Sequence, residues 1–210
     1  LGLQVQSTSW SSSQLGPTTS ALAARTRSAW RGRTAPGTIG TPDAQVDPEV
    51  ARMTATIRPA RPGDESDILR LVQALADYER EPDAVETTAE ELRAHLFADV
   101  PRVFAHVAEQ DGRIVGIAVW FLNFSTWTGR HGIYLEDLFV EPAVRGSGVA
   151  LRLIRALATE AKAQGYARME WAVLDWNEPA KAFYRRLGAR HNQTWEPWRL
   201  DGEALAALQD

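Results

Sequence analysis

The sequence predicts a single α/β domain, a mixed sheet with helices on its faces, and two observations predict it. Short runs rich in β-branched and aromatic residues, bounded by turn residues, recur from about residue 55 to residue 198. Segments with apolar residues at helical spacing fall between these runs.

Taken in order, Ala55 to Pro59 reads as a short strand. Asp64 is placed to cap a helix through Glu81, in which Ile68, Leu71, Val72, Leu75 and Tyr78 share one face. Thr87 and Glu90 form a capping-box pattern ahead of Leu92, Leu96 and Phe97, which predicts a second short helix. Val103 to Glu109 and Ile114 to Phe124 flank Asp111-Gly112, a dipeptide suited to the positive φ angles of a tight hairpin turn. Ile133 to Val140 is the next strand. Gly148 to Gln164 is a helix with Val149, Leu153, Ala156, Leu157 and Ala161 on one stripe, closed by Gly165. Met169 to Leu174 reads as a strand, followed by a helix that Asn177 caps, Pro179 opens and Gly188 ends. A strand from Asn192 to Trp198 and a short terminal helix complete the pattern.

Residues 1–52 differ in texture. They are rich in Ser, Thr, Gly and Pro and keep no period, which predicts a disordered or non-native extension. Four Arg precede the first acid, Asp43, as in a transit peptide, but the apolar stretch of a secretory signal is lacking. The domain is therefore expected over residues 53–210, with the functional chain starting near Met53.

With 44% hydrophobic and 24% charged residues the composition is that of an ordinary globular protein. The absence of cysteine excludes disulfides, thiolate metal sites and a Cys nucleophile. His95, His106, His131 and His191 are far apart and form no metal-binding pair, so no metal is expected. No apolar run approaches the roughly 18 residues of a membrane span, and a soluble, cytoplasmic protein is the expectation. From Met53 onward 18 basic and 24 acidic residues give a net charge of −6, which disfavours nucleic acid and favours cationic partners, although a charge of this size more often serves solubility.

The stretch Phe139-Val140-Glu141-Pro142-Ala143-Val144-Arg145-Gly146-Ser147-Gly148-Val149-Ala150 runs from strand through loop to helix start. Glycines at 146 and 148 let backbone approach a ligand, and the free N–H groups at the helix N-terminus suit a pyrophosphate, with Arg145 adding charge. A Gly-x-Gly alone is equally a flexible turn. It is neither a Walker loop nor a full dinucleotide fingerprint.

Arg145-x-x-Gly148-x-Ala150 resembles the signature of the GNAT acetyltransferase superfamily. Ile57-Arg58-Pro59-Ala60, Ser66 to Leu71, Tyr134-Leu135-Glu136-Asp137 and Trp176-Asn177-Glu178-Pro179 with Phe183-Tyr184 extend the resemblance to the diamine (spermidine/spermine) or thialysine acetyltransferase branch, over Met53 to Leu205. The resemblance implies a mostly antiparallel sheet, splayed beside acetyl-CoA, in a homodimer that transfers acetyl directly to an amine. It implies that Gly146, Ser147, Gly148, Val149, Ala150 and Leu151 hold the pyrophosphate. Leu138, Phe139 and Val140 would pair with the pantetheine arm, their backbone N–H groups stabilising the developing oxyanion, and Asn177, Glu178, Pro179 and Ala180 would line the same cofactor.

Glu136 and Asp137 interrupt an apolar strand on what strand alternation makes opposite faces. By themselves they read as a strand end emerging into solvent. The resemblance makes Glu136 the residue that binds the amine and helps remove its proton through water, with Asp137 shaping the site. Tyr184 by itself reads as a packing residue. The resemblance makes it the general acid that protonates the CoA thiolate, a role suited to a phenol that is neutral at pH 7 and close to a thiol in acidity. Glu79 beside Tyr78, Glu170 with Trp171 and Ala172, and Glu196 match further amine-contacting positions. Trp127 and Trp171 would add apolar or cation–π walls. One acidic position of that branch, near Trp127, is Ser125 here. With one fewer carboxylate, longer polyamines are expected to be poorer substrates than shorter amines, which leaves thialysine, lysine-like amino acids and short diamines open. A protein N-terminal or lysine acetyltransferase is the nearest enzymatic alternative, and a non-catalytic acyl-CoA-binding module is the alternative from another class. Intact Glu136 and Tyr184 speak against the latter.

Overall fold

The computed structural model describes residues 55–208, so the expectations for residues 1–52 and for Met53 lie outside the described residues. The elements are β1 (Thr56–Pro59), α1 (Glu65–Glu79), α2 (Ala89–Leu96), β2 (Val103–Gln110), β3 (Arg113–Ser125), β4 (Arg130–Val140), α3 (Val149–Gln164), β5 (Met169–Glu170), α4 (Glu178–Arg186) and α5 (Gly202–Ala206). Short 3-10 turns occupy Pro82–Ala84 and Pro142–Val144. The chain divides into two units, one ending at Trp171 and one starting at Ala172.

The first unit holds a five-stranded sheet in sequence order. β1 to β4 are antiparallel neighbours, and β5 runs parallel to β4. Asp111 and Gly112 turn β2 into β3 with φ of 52° and 76°, the two left-handed residues a twisted hairpin requires. β4 and β5 pair only through Ile133↔Met169 and Tyr134↔Glu170, and β4 then runs on to Val140 beyond that ladder.

Each face buries its own apolar cluster. On one, Leu153, Leu157 and Val149 of α3 pack on Ala108, Ala118, Trp120, Ile133 and Leu135. On the other, Ile68 and Leu71 of α1 and Leu96 of α2 pack on Val107, Ile117, Val119 and Phe139. Burying one Leu or Ile contributes about 1.5–3 kcal/mol, so these stripes hold the helices to the sheet. Gly165 closes α3 in the left-handed conformation, as its position predicts.

Five sequence expectations are corrected. Asp64 makes no side-chain cap, because its carboxylate accepts from Arg58 and from the Arg61 N–H instead. α1 stops at Glu79, because Arg80 turns left-handed at φ 70°. The capping box is Thr88 and Glu91, one residue on from the pair expected, with Glu91 N–H donating to Thr88 Oγ1 at 3.2 Å and Thr88 N–H to Glu91 Oε2 at 2.8 Å. The strand from Met169 ends at Glu170. Residues 192–198 form no strand, and their side chains are mostly exposed, so nothing apolar there fixes a register.

In the second unit, the Asn177 side chain caps α4 by accepting from the Ala180 N–H at 3.2 Å, with Pro179 in the first turn. Gly188 follows the helix at φ 84°.

Candidate functional site

The site is organised by an irregularity in β4. Val119 pairs with Asp137 and Trp120 with Leu135, so Glu136 is an extra residue without a partner on β3. Such a bulge shifts the phase of the strand. Before it, Ile133 and Leu135 face α3. After it, Phe139 lies on the α1 face, and Asp137 falls in step with Phe139. Counted from the other end, Glu136 falls in step with Tyr134, whose ring packs on Phe121 at 5.0 Å. The two carboxylates that simple alternation sends to opposite faces are thus both turned to the α1 side.

Glu79, the last residue of α1, joins them there electrostatically. The Asp137 carboxyl is pushed up to about 6 by burial, then by the negative charges of Glu136 and Glu79. Burial also raises Glu79. Burial first, and then Glu136 and Glu170, raise the Tyr134 phenol. Glu79 further sits at the negative end of the helix macrodipole, in a last turn without a basic residue. No group of three or more acidic or histidine side chains among the described residues is arranged to hold a metal ion. A partly desolvated set of acids with this potential favours an ammonium group.

The loop after β4 is anchored at its start. Glu141 Oε1 accepts from Arg70 at 2.5 Å and Arg113 at 2.8 Å, while its N–H donates to Val115 O. Gly146 and Gly148 both have φ of 82°, and a Cβ built on either meets nothing within 4 Å. Gly148 holds the N-cap position of α3, and as a glycine it leaves the first-turn N–H groups without a side-chain acceptor from that position. Open space beside uncapped backbone N–H groups fits a pyrophosphate oxygen set. Of the other residues expected there, Val149 is buried, Ala150 and Leu151 are half-buried and Ser147 is exposed, its hydroxyl donating to Val144 O at 2.6 Å. Arg145 runs toward the sheet, its Nε donating to Val140 O at 3.0 Å. Leu138 packs with the α3-side cluster that contains Val140.

Glu170 is differently placed from the other acids. Its Oε2 accepts from Arg168 at 2.7 Å and Asn123 at 2.5 Å, and Arg168 also donates to Asn123 Oδ1. That network crosses β3, β4 and β5 over Gly132, where a Cβ would lie 2.7 Å from Asn123 Oδ1. The sequence reading missed Asn123, Arg168 and Gly132, and an isolated glycine inside a strand pattern was the available signal. Trp171 packs with the α3-side cluster. Ser125 is fully buried, its hydroxyl accepting from the Thr128 N–H at 3.3 Å, and Trp127 in the turn beyond is exposed.

In the second unit, Tyr184 is half-buried with its ring 5.2 Å from Phe183, and burial pushes its phenol up to about 12. Glu178 is exposed and pairs with Lys181 at 3.0 Å. Ala172 and Glu196 are exposed.

Comparison with known proteins gives a consistent set. The Acetyltransferase (GNAT) family matches residues 68–189. A thialysine N-epsilon-acetyltransferase of Sus scrofa is 39% identical over 163 residues, covering 72% of this chain and 95% of that protein. The protein of the same name in Caenorhabditis elegans is 31% identical over 71% of this chain and 93% of its own. Among solved structures, an integron cassette protein from the mobile metagenome of V. cholerae superposes with a TM-score of 0.63 at 25% identity, over 74% of this chain and 97% of that one.

Proposed function

Since this chain belongs to the acetyltransferase (GNAT) family and is an acetyltransferase acting on amines, we propose that its acceptor is a small molecule carrying a primary amine and a second cationic centre. Thialysine, a lysine-like amino acid or a short diamine fits this description. The observation that carries the reading is the set Glu79, Glu136 and Asp137, three carboxylates on one side of the sheet that form no ion pair with an arginine or lysine among the described residues.

GNAT acetyltransferases use acetyl-CoA, which supplies the activated acetyl group. The open cradle at Gly146 and Gly148 fits its pyrophosphate, with Ser147 and Val149 to Leu151 continuing the contact. Leu138 to Val140 would present backbone to the pantetheine arm, and Asn177 to Ala180 would line it. A primary amine has a pKa near 10, so about one molecule in a thousand is nucleophilic at pH 7. Glu136 binds the ammonium and takes its proton through water, while Asp137 and Glu79 fix the second cationic centre. Tyr184 returns a proton to the departing sulfur. A phenol raised to about 12 by burial stays protonated at neutral pH, and it is a weaker acid than an exposed phenol, so its transfer must accompany cleavage of the C–S bond. The acetyl group passes directly to the amine. A homodimer in the cytoplasm is the setting proposed.

An acetyl-CoA turnover screen against diamines, polyamines, thialysine, lysine, monoamines of matched length and lysine-containing peptides tests the reading. Preference for small molecules with two cationic centres is expected. Preference for monoamines or peptides would overturn it.

A further inference from the structure

Arg145 stands at the entrance to the glycine loop, where charge alone suggests a phosphate ligand, and its side chain also engages the sheet and the end of α1. The guanidinium carbon lies 5.2 Å from the centre of the Tyr78 ring and 5.4 Å from that of Phe139, while Nε is held by Val140 O. Tyr78 belongs to the last turn of α1 and immediately precedes Glu79. Phe139 lies on β4 two residues after Asp137, on the same face. A cation between two ring faces attracts both, so Arg145 ties the end of α1 to the far half of β4. We propose that Arg145 is a positioning residue for the amine pocket, setting the spacing of Glu79 and Asp137 by clamping Tyr78 against Phe139. The inference rests on the reading that these carboxylates face the amine. The groups acting on Asp137 are Glu136 and Glu79, and burial alone acts on Glu79, which points to packing and not to direct charge compensation by Arg145.

The test is a double-mutant cycle of Arg145→Gln and Tyr78→Leu, read as the KM for a diamine and, by calorimetry, the Kd for acetyl-CoA. Arg145→Gln is expected to raise the diamine KM by about two- to fivefold, with a smaller change in kcat. The double variant should be no worse than Tyr78→Leu alone, and Arg145→Lys should recover part of the loss by returning a cation to the rings. If Tyr78→Leu does not fold, Tyr78→Phe keeps the ring, and the Arg145→Gln penalty should persist in that background. Multiplying effects in the cycle, or a raised acetyl-CoA Kd with an unchanged diamine KM, would overturn the clamp. Glu79→Gln separates the two readings. If it raises the diamine KM and Arg145→Gln does not, only the clamp fails. If Glu79→Gln leaves KM unchanged, the amine pocket itself fails and the clamp with it.

Discussion

The two ends of α1 treat acidic side chains in opposite ways. At the N-terminal end, Asp64 accepts from the Arg58 guanidinium at 2.6 and 3.0 Å, Glu65 pairs with Arg93 at 2.8 Å and Asp67 with Arg70 at 2.8 Å. The hydrogen bond from Arg58 holds the Asp64 carboxyl below its ordinary value, and the helix macrodipole favours negative charge there. At the C-terminal end, Glu79 faces the wrong pole of the same dipole, and burial and neighbouring acids push Asp137 up to about 6. One end has its cations built in. At the other, no arginine or lysine among the described residues forms an ion pair with Glu79 or Asp137, and Arg145 engages the Tyr78 and Phe139 rings instead, the pattern expected where the cation is a ligand's.

The contrast breaks if an acid at the anchored end matters more to chemistry than one at the open end. Glu136→Gln is expected to lower kcat by about 10²- to 10⁴-fold, and Glu65→Gln to leave it unchanged. Tyr184→Phe should cause a loss of similar size in single-turnover transfer while acetyl-CoA affinity holds. Wild-type transfer with a lowered melting temperature would make Tyr184 a packing residue.

Stability sharpens the contrast. Asp64→Asn removes one of the two carboxylates on the half-buried Arg58, which keeps Glu109 at 2.7 Å, and should destabilise the fold by about 1.5–3 kcal/mol in urea unfolding at pH 7. Because the folded-state pKa of Asp64 is lowered, the stability it contributes is present above its unfolded value of 3.8 and lost as pH falls, so variant and wild type should converge in acid. Asp137→Asn should do the reverse, stabilising the fold at pH 7 by about 1–3 kcal/mol. A group raised from 3.8 to about 6 contributes stability that is complete below the unfolded value and lost as pH rises through 6, so this gain should vanish below about pH 4. A destabilised Asp137→Asn at pH 7 would mean that a partner compensates the charge. The smallest effect expected is from exposed Glu196. Glu196→Gln should raise KM about two- to fivefold for a diamine and less for a matched monoamine, and equal effects would place it outside the pocket.

Local chemistry was legible where one or two residues decide the conformation. Asp111-Gly112 and Gly165 adopt the backbone angles their types favour, and the apolar stripe of α3 packs as its period predicts. Thr87 and Glu90 were misread because Thr88 and Glu91 offer the same spacing, and a periodicity argument does not separate neighbouring frames. Asp64 was misread because its partner, Arg58, is fixed by a strand and not by the adjoining helix. In the site, Glu79, Glu136 and Asp137 were visible as residue types, but the face they share was not. Alternation assigns Glu136 and Asp137 to opposite sides, and only the pairing of Val119 and Trp120 on the neighbouring strand reveals the extra residue. Glu170 shows the converse. Its carboxylate looked available in the sequence and is engaged by Arg168 and Asn123 in the fold.

The bulge at Glu136 also decides which kinds of genetic change this chain tolerates. A substitution there alters one side chain, whereas deleting that single codon would restore an unbroken ladder and rotate every residue on one side of it by half a strand period. Either Phe139 would leave the α1 cluster or Ile133 and Leu135 would leave the α3 cluster. The strand carries a reading frame of its own, and lineages of this chain should vary in loop length far more readily than in the number of residues between Ile133 and Val140.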